Sequence, residues 1–197
     1  MENVLLSINT QITKGEYFAY FLPEIIYIAG IFINLVFYIF RKRRESTNRY
    51  SDFFTSIVLS VNTVILFSLG IKNHVSIDDI NFSFARKIFY YNNDLMLLKA
   101  AISLFGLFYL FTMYRIIRKT RIKTALLNSL LLCILFSTNF LLYSTNFLVT
   151  YMLLETIVFL IYKYGSLMRI RKAAVFSVEF LAISLTASIL FVALLNT

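Results

Sequence analysis

Residues Asn146 to Tyr164 read NFLVTYMLLETIVFLIYKY. The run is nineteen residues long, with one acid, Glu155, at its tenth position and one base, Lys163, beside its end. A helix rises about 1.5 Å per residue, so this length suits the roughly 30 Å of hydrocarbon in a bilayer. It shows no alternation of apolar and polar residues, the mark of a barrel strand. Inside lipid every backbone N–H and C=O must be satisfied within the protein, which leaves the helix.

Five further runs have the same character. They are Phe21–Phe40, Phe54–Ile71, Leu95–Tyr114, Ala125–Tyr143 and Ala173–Leu195. The chain as a whole is 59% hydrophobic and 15% charged, with a mean hydropathy of +0.77. A soluble domain carries about 25% charged residues, so its surface could not be dressed from this composition. The expectation is an all-α membrane protein: one transmembrane domain over residues 1–197, a bundle of about six helices. No soluble domain, linker or repeat of solenoid period is visible; the longest connection, Lys72 to Asn93, has room for a short interfacial segment.

The net charge of +9 raises nucleic acid as a partner. Its distribution points to lipid instead. Fourteen of the 19 Lys and Arg residues fall in the connections after spans one, three and five: Arg41 to Arg44 with Arg49, Arg115 to Lys123, and Lys163 to Lys172. Basic loops stay on the cytoplasmic or matrix side. Both termini are therefore expected on the outer side, with the basic loops against phospholipid head groups and no nucleic acid bound. Residues 1–19 have neither a basic n-region nor the Arg-rich, acid-poor character of a transit helix.

The chemistry available is narrow. The chain has one cysteine, Cys133, and one histidine, His74. That excludes a disulfide framework within the chain and offers no metal-ligand cluster. No phosphate loop, nucleophile elbow or haem-binding histidine pair is present, so a free-standing enzyme is disfavoured and any redox cofactor belongs to another subunit. What remains is a set of polar residues inside apolar runs. Glu155 is the sharpest, since a carboxylate at mid-bilayer costs a few kcal/mol and desolvation favours its protonated form. It reads as a proton-holding or coupling residue, or as a helix–helix hydrogen bond. Glu179, about two turns into span six, extends a polar path or pairs with a loop cation. Lys99, one turn inside span three, snorkels to the interface or relays protons. Glu24 follows Pro23 and reads first as a helix start, an acid at the positive end of the helix dipole, and otherwise as a functional residue. Asn62, Asn128 and Asn139 are placed to hydrogen-bond between helices.

Three segments resemble the N-terminal part of the antiporter-like subunit of respiratory complex I, called subunit N in bacteria and subunit 2 in mitochondria. Leu22-Pro23-Glu24 matches a Leu-Pro-Glu motif near the start of that family. Asn146 to Tyr164 is similar to a family span with a central acid: Asn146 stands where the family has Asp, Glu155 falls on the family Glu and Tyr162 on its Tyr. Lys172 to Leu195 aligns with the next family span through Ala173, Ala174, Ala182 and Ser184. Asp94 before span three also suits the family. The departures are Leu153 and Leu160 in place of a Gly and a Pro, and Phe176 in place of a lysine, which removes one proton-carrying group.

The resemblance implies a non-redox, membrane-arm subunit of a proton-translocating NADH:ubiquinone oxidoreductase. NADH, FMN, iron–sulfur clusters and ubiquinone are then implied only through other subunits. Glu155 becomes the proton-holding or coupling residue, with Glu179 one turn beyond the missing lysine. Family members have fourteen helices, so the resemblance implies a split subunit whose later helices come from another chain. A composition rich in Phe, Tyr, Ile, Asn and Lys and lacking Trp fits an AT-rich organellar genome, which favours the mitochondrial inner membrane over a bacterial plasma membrane. Two rival readings stand beside it: a subunit of a multi-protein cation/proton antiporter, and a structural or assembly protein whose Glu155 only joins helices.

Overall fold

The long apolar runs fold as helices in a computed structural model that describes residues 2–40, 46–71, 93–117, 124–168, 175–176 and 178–186. The long helices are α1 (Glu2–Phe40), α2 (Ser46–Ile71), α3 (Asn93–Ile117), α4 (Thr124–Tyr143) and α5 (Phe147–Leu167). Each contains a stretch long and apolar enough to cross a membrane: Phe21–Phe40, Tyr50–Ile71, Asp94–Met113, Thr124–Tyr143 and Phe147–Leu167. These agree with the first five expected spans to within a few residues. The chain is thus a helical protein embedded in a membrane. The expected sixth span, 173–195, lies largely outside the described residues, although 178–186 is helical. The connection over 72–92 also lies outside them.

Local chemistry explains several boundaries. Asn146 caps α5: its side chain accepts hydrogen bonds from the backbone N–H groups of Leu148 at 3.0 Å and Val149 at 3.4 Å. An N-cap amide satisfies donors that the first turn leaves unpaired, a task worth about 1 kcal/mol. Asp94 sits in the first turn of α3, where the helix dipole favours an acid. Hydroxyl residues inside the helices bond back to their own backbone: Thr55 to Ser51 O, Thr63 to Leu59 O, Thr138 to Ile134 O and Thr156 to Met152 O. A hydroxyl in an apolar setting otherwise carries an unsatisfied donor.

The sequence reading is corrected at Pro23. It was expected to open the first helix, but it lies inside α1, which begins at Glu2. A proline removes one backbone donor from the helix without ending it here. Glu24 consequently sits within a continuous helix rather than at a dipole end.

Helices α1 to α4 form a four-sided bundle. Helix α2 packs on α1 and α3, α4 packs on α1 and α3, and α2 and α4 also touch, whereas α1 and α3 have no direct backbone contact among the described residues. The core holds Tyr27, Val58, Leu59, Leu110, Leu127, Leu131, Leu132 and Leu135, and Tyr164 and Met168 join it from the far end of α5. Close approach depends on small residues. A Cβ at Gly30 would stand 2.9 Å from Leu132 Cδ1, and one at Gly106 would stand 2.6 Å from Leu135 Cδ1. Such small positions let helices pack tightly in lipid, where no hydrophobic driving force draws them together. The outer faces carry Phe32, Ile39, Phe53, Val64, Phe105 and Phe108, which suits a surface covered by acyl chains. Helix α5 is different: among the described residues its backbone packs on α4 alone, with the Tyr164 ring also reaching Tyr109 of α3, and Tyr164 is its one buried residue.

Candidate functional site: a buried ion pair between opposite helices

Two polar clusters interrupt the apolar core, one toward each end of the bundle. The first is built on Glu24 of α1 and Lys99 of α3. Their helices do not touch, so both side chains reach into the space between them. Lys99 Nζ donates to Glu24 Oε1 at 2.7 Å, and the two residues are 0% and 3% exposed. The ammonium also lies 2.8 Å from the centre of the Tyr143 ring of α4. A cation over an aromatic face is stabilised by the ring quadrupole, by about 2 kcal/mol or more when desolvated. Tyr143 in turn donates to Met96 Sδ at 3.6 Å, fixing the ring against α3.

Lys99 therefore does not snorkel, contrary to the reading of its position in the sequence. The reason is the partner: Glu24, 75 residues away in the chain, supplies a countercharge that the headgroup region was expected to supply. Nor is Glu24 a helix-start acid. It is buried deep among α1, α3 and α4.

One turn further along α1 lies Tyr27, whose hydroxyl faces Ser103, Asn62 and Asn139. Asn62 donates to the Pro23 carbonyl at 3.2 Å, and Thr63 donates to Ser103 Oγ at 3.1 Å. Asn62 thus joins helices as expected. Asn139 does not: its buried amide has no hydrogen-bond partner among the described residues.

The second cluster lies toward the basic connections. Ser51 donates to Asn34 Oδ1 at 2.6 Å, and Asn34 donates to Thr55 Oγ1 at 2.9 Å. Asn128 of α4 donates to Asp52 Oδ1 at 2.7 Å and to Ser51 Oγ at 3.1 Å. Tyr164 of α5 approaches Tyr109 nearby, ring centres 6.0 Å apart. Along α1 the two clusters are about 15 Å apart, ten residues at the helical rise. Leu59 and Leu132 are fully buried in the layer between them.

Glu155 and Glu179 fall outside both clusters. Glu155 is half-buried in the middle of α5, and Glu179 is exposed on the helical segment 178–186. Phe176, at the position where the resemblance expects a lysine, is exposed as well. Sequence reading missed Asp52, Tyr143 and the pairing of Glu24 with Lys99. Two opposite charges inside separate apolar runs are the one signal that could have linked the pair, since a buried charge needs a countercharge.

Compared with models of protein families, with curated proteins and with solved structures, the chain finds no match.

Proposed function

We propose that this chain is a membrane-arm subunit of a proton-translocating NADH:quinone oxidoreductase, the N-terminal part of a split antiporter-like subunit. It contributes to proton translocation or its coupling and to assembly of the arm. The observation that carries this reading is the ion pair of Glu24 and Lys99. A carboxylate and an ammonium held in a desolvated bundle are costly to maintain, and apolar residues of the same volume would pack as well or better. Ionisable groups inside membrane spans mark ion and proton pathways by default. Glu24 also belongs to the Leu-Pro-Glu segment on which the resemblance rests, so one residue joins the sequence pattern to the buried chemistry.

In this proposal other subunits carry NADH, FMN, iron–sulfur clusters and quinone. Electron transfer there changes the field along the membrane arm, and Glu155 responds as a proton-holding group in mid-span. Helix α5, in which Tyr164 alone is fully buried, packs against further membrane-arm helices, including those of a chain carrying the later part of the fold. The basic connections face the matrix, both termini face the opposite side, and the membrane is the mitochondrial inner one, with the bacterial plasma membrane as the alternative.

The test is the set of proteins that accompanies the chain after gentle detergent purification. Complex I membrane-arm subunits are expected. Recovery with an assembly that exchanges monovalent cations for protons without oxidising NADH would move the chain to the antiporter class. Recovery alone would end both readings.

A further inference from the structure

We propose that Glu24 and Lys99 form a proton-exchange site of their own, separate from Glu155, in which one proton passes between ammonium and carboxylate. The inference needs only the membrane bundle and does not depend on which energy-coupling assembly holds the chain.

The two polar clusters differ in how well they are satisfied. Near the basic connections Asn34 uses both ends of its amide, and Asn128 bonds two partners. That is how polar residues behave when they only join helices. The cluster around Glu24 is under-satisfied. Glu24 Oε2, Tyr27 Oη, Asn62 Oδ1 and both polar atoms of Asn139 are buried without hydrogen-bond partners among the described residues. An ammonium has three donors. Lys99 places one on a single carboxylate oxygen and lies over a ring. Charge so poorly solvated gains little from staying separated, because a low-dielectric site penalises both ions.

The step is a simple transfer. The Nζ–H bond of Lys99 breaks as an O–H bond forms on Glu24 Oε1, leaving a neutral amine and a carboxylic acid; no electron leaves either group. The acid then has a proton to give, and the amine has a lone pair to accept the next one. The outlet is the neighbouring group of Tyr27, Asn62 and Asn139, which offers donors and acceptors one turn along α1. The titratable groups facing the pair are Tyr27 from α1 and Tyr143 from α4, while α2 contributes the neutral Asn62.

A lipid-soluble carbodiimide tests this in native membranes holding the full assembly. The reagent adds to a protonated carboxyl in an apolar setting and leaves a covalent acylurea. N,N′-dicyclohexylcarbodiimide followed by peptide mass spectrometry should find Glu24 modified in the wild type. Lys99→Arg should lower that modification about tenfold, because a guanidinium does not surrender its proton. Lys99→Met removes the ammonium and is the control for access of the reagent to Glu24. Modification in Lys99→Met with none in the wild type would overturn the proposal. Where the reagent does not reach Glu24 in any variant, infrared difference spectra on proton–deuteron exchange decide. A carboxylic-acid carbonyl band lost in the double variant Glu24→Leu with Lys99→Met supports the site, and identical spectra overturn it. Neither measurement uses NADH oxidation, so failure here is distinct from failure of the partner test.

Discussion

Gly30 of α1 sits so close to Leu132 of α4 that a side chain of one carbon would stand 2.9 Å from Leu132 Cδ1 and 3.0 Å from Val58 Cγ1. Three helices meet at that point, and the contact leaves no room for a Cβ unless both neighbours shift. Gly30→Val is expected to cost about 1–3 kcal/mol, the usual penalty for overpacking. Thermal unfolding of the detergent-solubilised assembly checks it. Gly30→Ala with Leu132→Val should recover part of the loss.

The ion pair has a thermodynamic signature of its own. Removing either partner leaves the other buried without its counterion, so Glu24→Leu and Lys99→Leu are each expected to destabilise by about 3–5 kcal/mol. The double variant Glu24→Leu with Lys99→Met leaves no charge behind and should fall close to the wild type. A double variant as weak as the singles would mean that shape, not charge, holds this site together. Yield of assembled complex and its unfolding midpoint are the measurements.

Asn128 and Asn139 lie on the same helix and should respond in opposite directions. Asn128→Leu strips Asp52 and Ser51 of a donor, at an expected cost of about 1–2 kcal/mol. Asn139→Leu removes an amide that has no hydrogen-bond partner among the described residues, so stability should hold or rise. If Asn139 belongs to the outlet of the pair, the same substitution slows proton movement while leaving assembly intact. Comparing the two variants in one denaturation series separates joining from relay.

Glu155→Gln keeps the shape of the side chain and removes its carboxyl group. It is expected to impair proton translocation or its coupling more than assembly. The check is the proton-to-electron stoichiometry in vesicles; a wild-type ratio would leave Glu155 without a transport role.

The bias of the basic connections predicts an orientation. In a Cys133→Ser background, Thr47→Cys should react with a membrane-impermeant maleimide from the matrix or cytoplasmic side only, and Asn73→Cys from the other. Reaction of both from one side would contradict the expected crossing of α2.

Hydropathy located the first five spans because the bilayer fixes their length, and length is a property of one helix alone. The Asn146 cap and the Asp94 first turn are local too, yet neither role was read from the sequence. Azimuth was not legible. Nothing within Leu95–Tyr114 reveals that Lys99 turns toward a glutamate in another span, so the residue looked like a snorkeller. Glu24 looked like a helix start because Pro23 precedes it, yet the helix runs through both. Asp52 was overlooked because it lies just before the apolar run that begins at Phe54, and its importance comes from Asn128, 76 residues on. Glu155, the most conspicuous acid in the sequence, lies half-buried on the helix least enclosed by the rest.

The two polar clusters also have a mechanical meaning. One ties α1 to α3 at one end of the bundle; the other ties α2 to α4, and to α1 as well, near the opposite end. Four rods held only by oily contacts can rack sideways like an unbraced frame. Struts across both diagonals, set at different heights, prevent that, so the helices resist shear and tilt as a block. A push delivered to one face of such a frame is carried by the struts to the opposite helices.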